Sequence, residues 1–192
     1  MENTSLSQFL QQIYPLTEEE NAALCEGWQT VTVKRKTVLT VAGETERWLY
    51  FVVEGIQRAF YCGEDGKEAT IVFTYPPSFS GVADSLLTQT PSLYFLETIT
   101  ASTLMKISYA QLMELAQQYP GIQQLIFKST ALALKGVLLR QVELQSFSNE
   151  QKFKTLLKRS PHILNLVPHK YIASYLGMDA TNFSKLLSTV KI

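Results

Sequence analysis

The residues that carry the most chemical information lie near the C-terminus, between Pro168 and Phe183. Pro168 suits a first helical turn, where its missing N–H costs little. Ala173 is small where two helices must approach closely, and Gly177, four residues later, suits a left-handed turn. Asp179 can cap a second helix, and Phe183 returns to the core. This pattern predicts a helix-turn-helix, whose second helix enters the major groove of double-stranded DNA.

The candidate DNA contacts lie on the predicted second helix and at the start of the first. Lys185 can reach a guanine or a phosphate, although it lacks the planar fork of arginine. His169 and Lys170 can contact phosphate from the first helix. An ordinary helical hairpin is the alternative interpretation. The candidate DNA-binding residues are His169, Lys170, Asp179, Ala180, Thr181, Asn182, Ser184, Lys185 and Ser188.

The charge distribution favours DNA binding although the whole chain is neutral. Its 192 residues carry 17 Lys and Arg and 17 Asp and Glu. Residues 1–148 hold 10 basic and 15 acidic residues, whereas residues 149–192 hold 7 basic and 2 acidic residues and both histidines. Concentrated positive charge is the electrostatic signature of a nucleic-acid-binding domain. Only Lys185 and Lys191 follow Gly177, so we expect the affinity to be modest.

The segment from Val31 to Ile107 has the pattern of an antiparallel β domain. Short β-rich runs alternate with turns, and the Asp65-Gly66 pair is a strong hairpin signal. Strands at a spacing of about 8–12 residues predict a sandwich, a barrel or a jelly roll. Capping boxes at Thr17, Ser108 and Ser148 predict helix starts. The predicted strands are Thr30–Val33, Val38–Val41, Trp48–Val53, Gln57–Tyr61, Thr70–Tyr75, Tyr94–Thr98 and Leu104–Ile107.

A mostly apolar stretch without proline, from Ile122 to Phe147, predicts one long helix. Apolar residues occupy two of its faces, and such a helix needs two partners. One partner would be the β domain, and the other would be the same helix of a second chain. The alternative is a helix buried within a monomer. The candidate dimer residues are Ile122, Leu125, Ile126, Leu132 and Leu139.

The chain resembles the Crp/Fnr family of bacterial transcription regulators, which are related to the cyclic-AMP receptor protein. The resemblance rests on Val38–Glu44, Leu49–Gly55 and Asp65–Glu68, and on Tyr171–Gly177, which is closest to the family's short-form members. It implies an α+β fold with an N-terminal cyclic-nucleotide-binding-type β-roll, which is a jelly roll or double-stranded β-helix. A long dimerisation helix and a C-terminal helix-turn-helix domain of winged-helix type, with a reduced or absent wing, would follow.

The same resemblance implies a cytoplasmic homodimer that binds pseudo-palindromic DNA, often under the control of a small-molecule effector, and it allows contact with RNA polymerase. We expect the β-roll with its N-terminal helices over residues 1–118, the dimerisation helix over 119–147 and the DNA-binding domain over 148–192. We recognise no signal peptide, and no apolar run approaches the ~18 residues of a membrane span.

The resemblance fails at the effector site. In cyclic-AMP-binding members a short helix presents Gly-Glu, and an Arg-Ser pair follows. Here Gly81 is retained, but Val82 stands in the Glu position and Ser92-Leu93 in the Arg-Ser position, with no Lys or Arg between Lys67 and Lys106. An anion buried without its charge partner costs several kcal/mol. We therefore expect that cyclic AMP does not bind usefully; the positions that would contact adenine are also apolar, namely Val137 and Leu138.

Another ligand could occupy the same region, because aromatic residues surround it in the sequence. The alternative is that these aromatic residues, which include Phe95, form the core of the β domain. The candidate effector-pocket residues are Phe73, Tyr75, Phe79, Gly81, Val82, Ala83, Ser92, Leu93 and Tyr94.

We expect no cofactor and no metal. Cys25 and Cys62 cannot supply an all-cysteine iron–sulfur cluster or a four-cysteine zinc site. Metal-dependent jelly-roll enzymes need histidine and carboxylate ligands inside the barrel, and no histidine lies between Met1 and Pro161. An enzyme is therefore disfavoured. The remaining rival is a ligand-binding or protein-interaction module whose helix-turn-helix has lost its DNA affinity.

Overall fold

Two short helices open the chain, and the second begins at a reciprocal cap. The structure is a computed structural model that describes residues 2–189. Helix α1 spans Glu2–Ile13 and helix α2 spans Glu18–Glu26. The Thr17 hydroxyl accepts the Glu20 N–H, and the Glu20 carboxylate accepts the Thr17 N–H, as the capping-box pattern predicts. This hydrogen bond from the Thr17 backbone lowers the pKa of Glu20.

Within residues 2–189, eight strands form two four-stranded antiparallel sheets. One sheet has the order β1-β8-β3-β6 and the other β2-β7-β4-β5. The seven predicted strands are confirmed with shifts of a few residues, whereas β6 was not predicted because it has only three residues and follows two prolines. The strands are β1 Gln29–Val33, β2 Val38–Thr40, β3 Trp48–Glu54, β4 Gln57–Cys62, β5 Glu68–Thr74, β6 Ser78–Ser80, β7 Phe95–Thr98 and β8 Ser102–Ser108.

The β-roll has an apolar core on each side of its first sheet. Between the sheets, Val52, Leu96 and Leu104 are buried with their neighbours. On the outer face of the first sheet, Phe51 and Ile107 pack against the helices. The mixed architecture therefore matches the fold class predicted from the sequence. The short helix α3, Ala83–Thr88, lies between β6 and β7.

Helices make up the remainder of the chain. Ser108 accepts the Gln111 N–H and so caps α4, but the Gln111 side chain bonds the Ser108 hydroxyl rather than its N–H, so this predicted capping box is half formed. The long helix begins with Pro120 at its first position. The complete reciprocal cap predicted at Ser148 opens the helix after it. The helices are α4 Tyr109–Gln118, α5 Pro120–Ser146, α6 Asn149–Arg159, α7 Ile163–Leu166, α8 His169–Tyr175 and α9 Ala180–Thr189.

The turn between β3 and β4 depends on glycine, and this dependence gives a matched test. Gly55 has φ +94°, and a Cβ built there would lie 2.7 Å from the Ala101 carbonyl oxygen. Gly43 has φ +90°, but a Cβ there would meet nothing within 4 Å. Both alanine variants carry the backbone strain, which is about 1–3 kcal/mol, and only the first carries a clash.

We expect Gly55→Ala to lower the free energy of unfolding by about 4 kcal/mol or more, a size that marks a specific structural conflict. Gly43→Ala should lower it by about 1–3 kcal/mol. Urea denaturation followed by circular dichroism measures both values. Equal losses in the two variants would contradict the proposed clash with the β7–β8 turn.

Candidate nucleic-acid interface

The C-terminal helices α6 to α9 surround an apolar core that Ile56, Phe73 and Ile99 of the β-roll share. Phe153 of α6 and Phe183 of α9 are completely buried, and their rings meet edge to face with centroids 5.6 Å apart. Ile172 and Leu176 of α8 are buried beside them. In the described part of residues 148–192 there is no strand, so the helices alone form this domain.

The turn between α8 and α9 has the geometry that its residues predict. Gly177 has φ +66°, and Ala173 is only 2% exposed. The Met178 N–H donates to the Ala173 carbonyl at 3.1 Å, which closes the turn. At the start of α9, the Asp179 carboxylate accepts the Asn182 N–H at 2.7 Å. Asp179 is thus the cap of the second helix, as its position predicts.

Helix α9 separates an apolar face from an exposed polar face. Phe183 is buried, and Leu186 and Leu187 are half-buried against the same cluster. The candidate contacts on this helix all lie on the exposed side, and His169 and Lys170 are exposed at the start of α8. The exposed candidates on or beside α9 are Asp179, Ala180, Thr181, Asn182, Ser184, Lys185 and Ser188.

One member of this polar face is held by a neighbour. The Asn182 side-chain amide donates to the second Asp179 oxygen at 2.7 Å, so one of its two N–H donors is engaged within the chain, and the other N–H and the carbonyl oxygen are left for a ligand. Sequence reasoning named both residues but not this hydrogen bond. Its only signal was their spacing of three, which also marks the helix cap.

The positive charge of this domain is partly used within the chain. Lys152 is buried, Lys154 forms an ion pair with Glu150 at 2.6 Å, and Arg159 forms one with Glu143 at 2.7 Å. Lys191 lies outside the described residues. Among residues 149–189, the exposed lysines with no carboxylate in salt-bridge range are Lys158, Lys170 and Lys185.

The structure divides the candidate effector-pocket residues among separate clusters. Phe79 packs on the helical side, with its ring stacked over Trp28 at a centroid distance of 6.1 Å and edge to face with Phe9. Phe73 and Tyr75 instead pack with the core of the C-terminal helices. These three aromatic side chains therefore do not form a cage around one ligand.

The other pocket candidates surround helix α3. Val82 is buried between the sheets, and Tyr94 packs partly against the same cluster. Ser92 is buried, and its hydroxyl bonds the Tyr94 carbonyl and N–H, so it is used within the chain. The remaining candidates are half-buried or exposed around α3: Gly81, which has φ +136°, Ala83 and Leu93.

A buried carboxylate lies against α3, and sequence reasoning missed it. Glu46 is 2% exposed, and its oxygens accept from the Thr40 hydroxyl and from the N–H groups of Arg47 and Trp48. The Glu46 N–H donates to the Ser85 hydroxyl of α3 at 2.9 Å. Burial, together with the negative charge of Glu46, raises the pKa of the Tyr50 hydroxyl. The interior next to α3 is thus negative rather than positive.

The long helix α5 uses its first turns within the chain. Ile122 and Leu125 are completely or almost completely buried in the core beneath α1 and α2, and Ile126 packs partly against it. These three candidate dimer residues therefore belong first to the chain's own core. Leu132 and Leu139 are 46% and 53% exposed, and residues 131–139 are exposed on every side.

Helix α5 is also long and apolar enough to cross a membrane, judged by length and composition alone. From the sequence we expect no apolar run long enough to span a membrane, whereas α5 meets that length and composition. A single helix of this kind is weak evidence for a membrane span. Lys128, Lys135, Arg140 and Glu143 interrupt its apolar surface. Charged groups at the centre of a bilayer are costly.

Sequence reasoning also missed the polar residues that join the two domains. Among them are Arg58 in β4, Arg140 and Glu143 in α5, and Tyr171 and Ser174 in α8. The one signal was Arg58 itself, a charged residue inside a strand of mostly apolar residues. A buried charge of this kind must be paired, but sequence alone does not say with which residues.

Comparisons with known proteins agree with this geometry. Residues 30–119 match the family of cyclic nucleotide-binding domains. Curated proteins gave no match. Among solved structures, FixK2 from Bradyrhizobium japonicum is 17% identical, with a TM-score of 0.74 over 84% of this chain and 83% of that one.

Two further structures have the same architecture. The c-di-GMP-responsive global regulator CLP of Xanthomonas campestris is 17% identical, with a TM-score of 0.67 over 90% of each chain. A Crp/Fnr-family transcriptional regulator from Eubacterium rectale is 15% identical, with a TM-score of 0.70 over 92% of this chain and 86% of that one. The protein is thus a β-roll of the cyclic nucleotide-binding class joined to a helix-turn-helix. Residues 30–119 are thus similar to the cyclic nucleotide-binding domain family, and the fold of the chain is that of the Crp/Fnr regulators.

Proposed function

We propose that this protein is a non-enzymatic transcription regulator that binds double-stranded DNA through α9. The observation that carries the proposal is the exposed polar face of a capped helix whose opposite face is buried on Phe183. A helix presented in this way can enter the major groove, while α8 crosses the backbone and offers His169 and Lys170 to phosphates.

The protein acts as a homodimer, and the middle of α5 supports this part of the proposal. Leu134, Val137 and Leu138 are 57%, 63% and 58% exposed, although they lie on one helix. Apolar side chains at this density are stable in water only when another apolar surface covers them. A second copy of α5 offers that surface and makes the two α9 helices symmetric, so the DNA site is a two-fold palindrome.

The effector domain does not take cyclic AMP. The interior beside α3 offers the buried Glu46 carboxylate, and no Lys or Arg lies between Lys67 and Lys106. A cyclic phosphate placed there would lose its hydration without gaining a cation, which costs several kcal/mol. Val82 is packed in the core between the sheets, and the Ser92 hydroxyl donates to the Tyr94 carbonyl, so both side chains already have partners within the chain.

Selection from a random pool of double-stranded oligonucleotides tests the DNA-binding function. We expect enrichment of a two-fold-symmetric motif. Lys185→Ala should then lower the affinity for that motif by about tenfold or more and reduce the salt slope of the dimer by about 2, because one cation is lost in each subunit.

Lys34→Ala is the matched control, since it removes the same charge from an exposed turn of the β-roll. Fluorescence anisotropy across a range of salt concentrations gives both quantities. An unchanged affinity in Lys185→Ala would remove this residue from the interface. The absence of any enriched motif at low salt would instead favour a protein-interaction module, which the small number of unpaired lysines already makes the second candidate.

The dimer is tested by placing a charge in the exposed apolar stretch of α5. We expect Leu138→Asp to produce a monomer in sedimentation velocity, because a carboxylate would be buried in the α5–α5 contact. Gln124→Asp adds the same charge near the start of α5, at an exposed polar position, and should leave the dimer intact. A dimer that persists in Leu138→Asp at micromolar concentration would place the interface elsewhere.

Isothermal titration calorimetry tests the effector domain. We expect no saturable heat when cyclic AMP is injected into the full chain, because the phosphate would meet Glu46 and no cation. Injection of cyclic AMP into buffer is the control. Saturable binding with a micromolar or tighter dissociation constant would show that another group neutralises the phosphate.

A further inference from the structure

The DNA-binding domain is held against the β-roll by a buried guanidinium. Arg58 of β4 is 1% exposed, and its side chain pairs with Glu97 of β7 and Glu68 of β5, each at 2.6 Å. Its guanidinium carbon lies 4.0 Å from the centre of the Phe60 ring and 3.6 Å from that of Tyr171. Tyr171 belongs to α8, so this cation contacts both domains, beside the apolar core that they share.

A second contact between α8 and the β-roll lies at Thr70, two residues along β5 from Glu68, which pairs with Arg58. Strand β5 is at the edge of its sheet, where N–H and C=O groups lack a neighbouring strand. The Thr70 N–H donates to the Ser174 hydroxyl at 2.9 Å, and that hydroxyl donates to the Glu68 carbonyl at 3.1 Å. The Ser174 side chain of α8 thus takes the place of a strand partner.

The far end of α8 is held from the other side by α5. Arg140 donates to the Tyr175 carbonyl oxygen, and its guanidinium carbon lies 4.0 Å from the centre of the Tyr175 ring. Arg140 and Arg159 share the buried Glu143 carboxylate. Burial raises the pKa of Tyr175. Helix α8 therefore lies between the edge strand and the long helix, with polar contacts to each.

We propose that Arg58, Tyr171 and Ser174 are positioning residues for DNA recognition, and that they set the spacing between the two half-sites that the dimer reads. This inference rests on the proposed function. The tight turn at Gly177 joins α8 to α9, so holding α8 fixes the direction of α9 relative to the β-roll. The α5 pair then fixes the distance between the two copies of α9.

The contacts that hold α8 are complete in the chain without any bound molecule. Both carboxylate partners of Arg58, both rings and both hydrogen bonds of Ser174 are supplied by the protein. We therefore expect the spacing preference to be present in the protein without an effector. Each base pair inserted between half-sites rotates one of them by about 35° relative to the other, which a fixed α9 cannot follow.

The test compares palindromes selected by the wild-type protein with versions carrying one or two inserted base pairs. We expect the wild type to lose about tenfold or more in affinity on insertion of two base pairs. The double variant Tyr171→Ala and Ser174→Ala should lose less than about threefold, because its α9 can turn. Tyr171→Phe keeps the ring over Arg58 and should behave as the wild type. Affinity for a single half-site should be similar in all three proteins, since no DNA-contacting residue is changed.

Amide hydrogen exchange of the full chain, resolved by NMR, tests the contact without DNA. The Thr70 amide should exchange slowly in the wild type and at least about tenfold faster in Ser174→Ala, which removes its acceptor. Equal exchange rates would overturn the contact, and an unchanged spacing preference in the double variant would overturn its role in positioning. If no protein binds DNA, the proposed function fails, and so does the role in spacing, while Thr70 exchange still decides the contact.

Discussion

Arg58 is buried in the β-roll, and its guanidinium must keep two carboxylates and two aromatic rings around it. Removing one partner of a buried ion pair costs about 3–5 kcal/mol, so these contacts constrain the strands β4, β5 and β7 together. Tyr171 completes the set from a different domain. The packing of the β-roll and the orientation of the C-terminal helices therefore depend on the same side chain.

The contacts of α8 explain why α9 faces outward. In α8, Tyr171 packs on Arg58, and the last two residues, Ser174 and Tyr175, are held by the edge strand β5 and by Arg140. Because α8 is held by the β-roll and by α5, the α9 helix that follows it buries its apolar side on Phe153 and its neighbours. The polar side of α9 is left exposed, which is the arrangement that a DNA-reading helix needs.

The β-roll has the shape of a cyclic nucleotide-binding domain, and a buried carboxylate lies beside its short helix α3. The Ser85 hydroxyl of α3 accepts the Glu46 N–H. The oxygens of this buried carboxylate accept from the Thr40 hydroxyl and from two backbone N–H groups. A network of this kind stabilises the fold locally without any ligand. It agrees with a regulator whose domain arrangement does not require cyclic AMP.

Much of this protein could be read from local patterns. The caps at Thr17, Ser148 and Asp179, the hairpin at Asp65-Gly66 and the turn at Gly177 depend on residues a few positions apart, so the sequence alone determined them. The alternation of short strands predicted a sandwich, a barrel or a jelly roll, and the resemblance to the Crp/Fnr family implied the α+β fold class. The strand β6 and the half-formed cap at Ser108 were not anticipated, because three residues carry too little pattern and because glutamine can bond either hydroxyl or amide.

The tertiary structure alone decided which charges and aromatic rings meet. Arg58 and Tyr171 are more than one hundred residues apart, and the sequence around either residue does not predict their contact. Phe73 and Phe79 are only six residues apart in the sequence, yet Phe79 packs in the helical core and Phe73 against the C-terminal helices, because β6 and β5 belong to different sheets. The positive charge of the C-terminal segment was visible in the sequence. The share of this positive charge that is already paired within the chain was not visible in the sequence, because ion pairs form between side chains that only folding brings together.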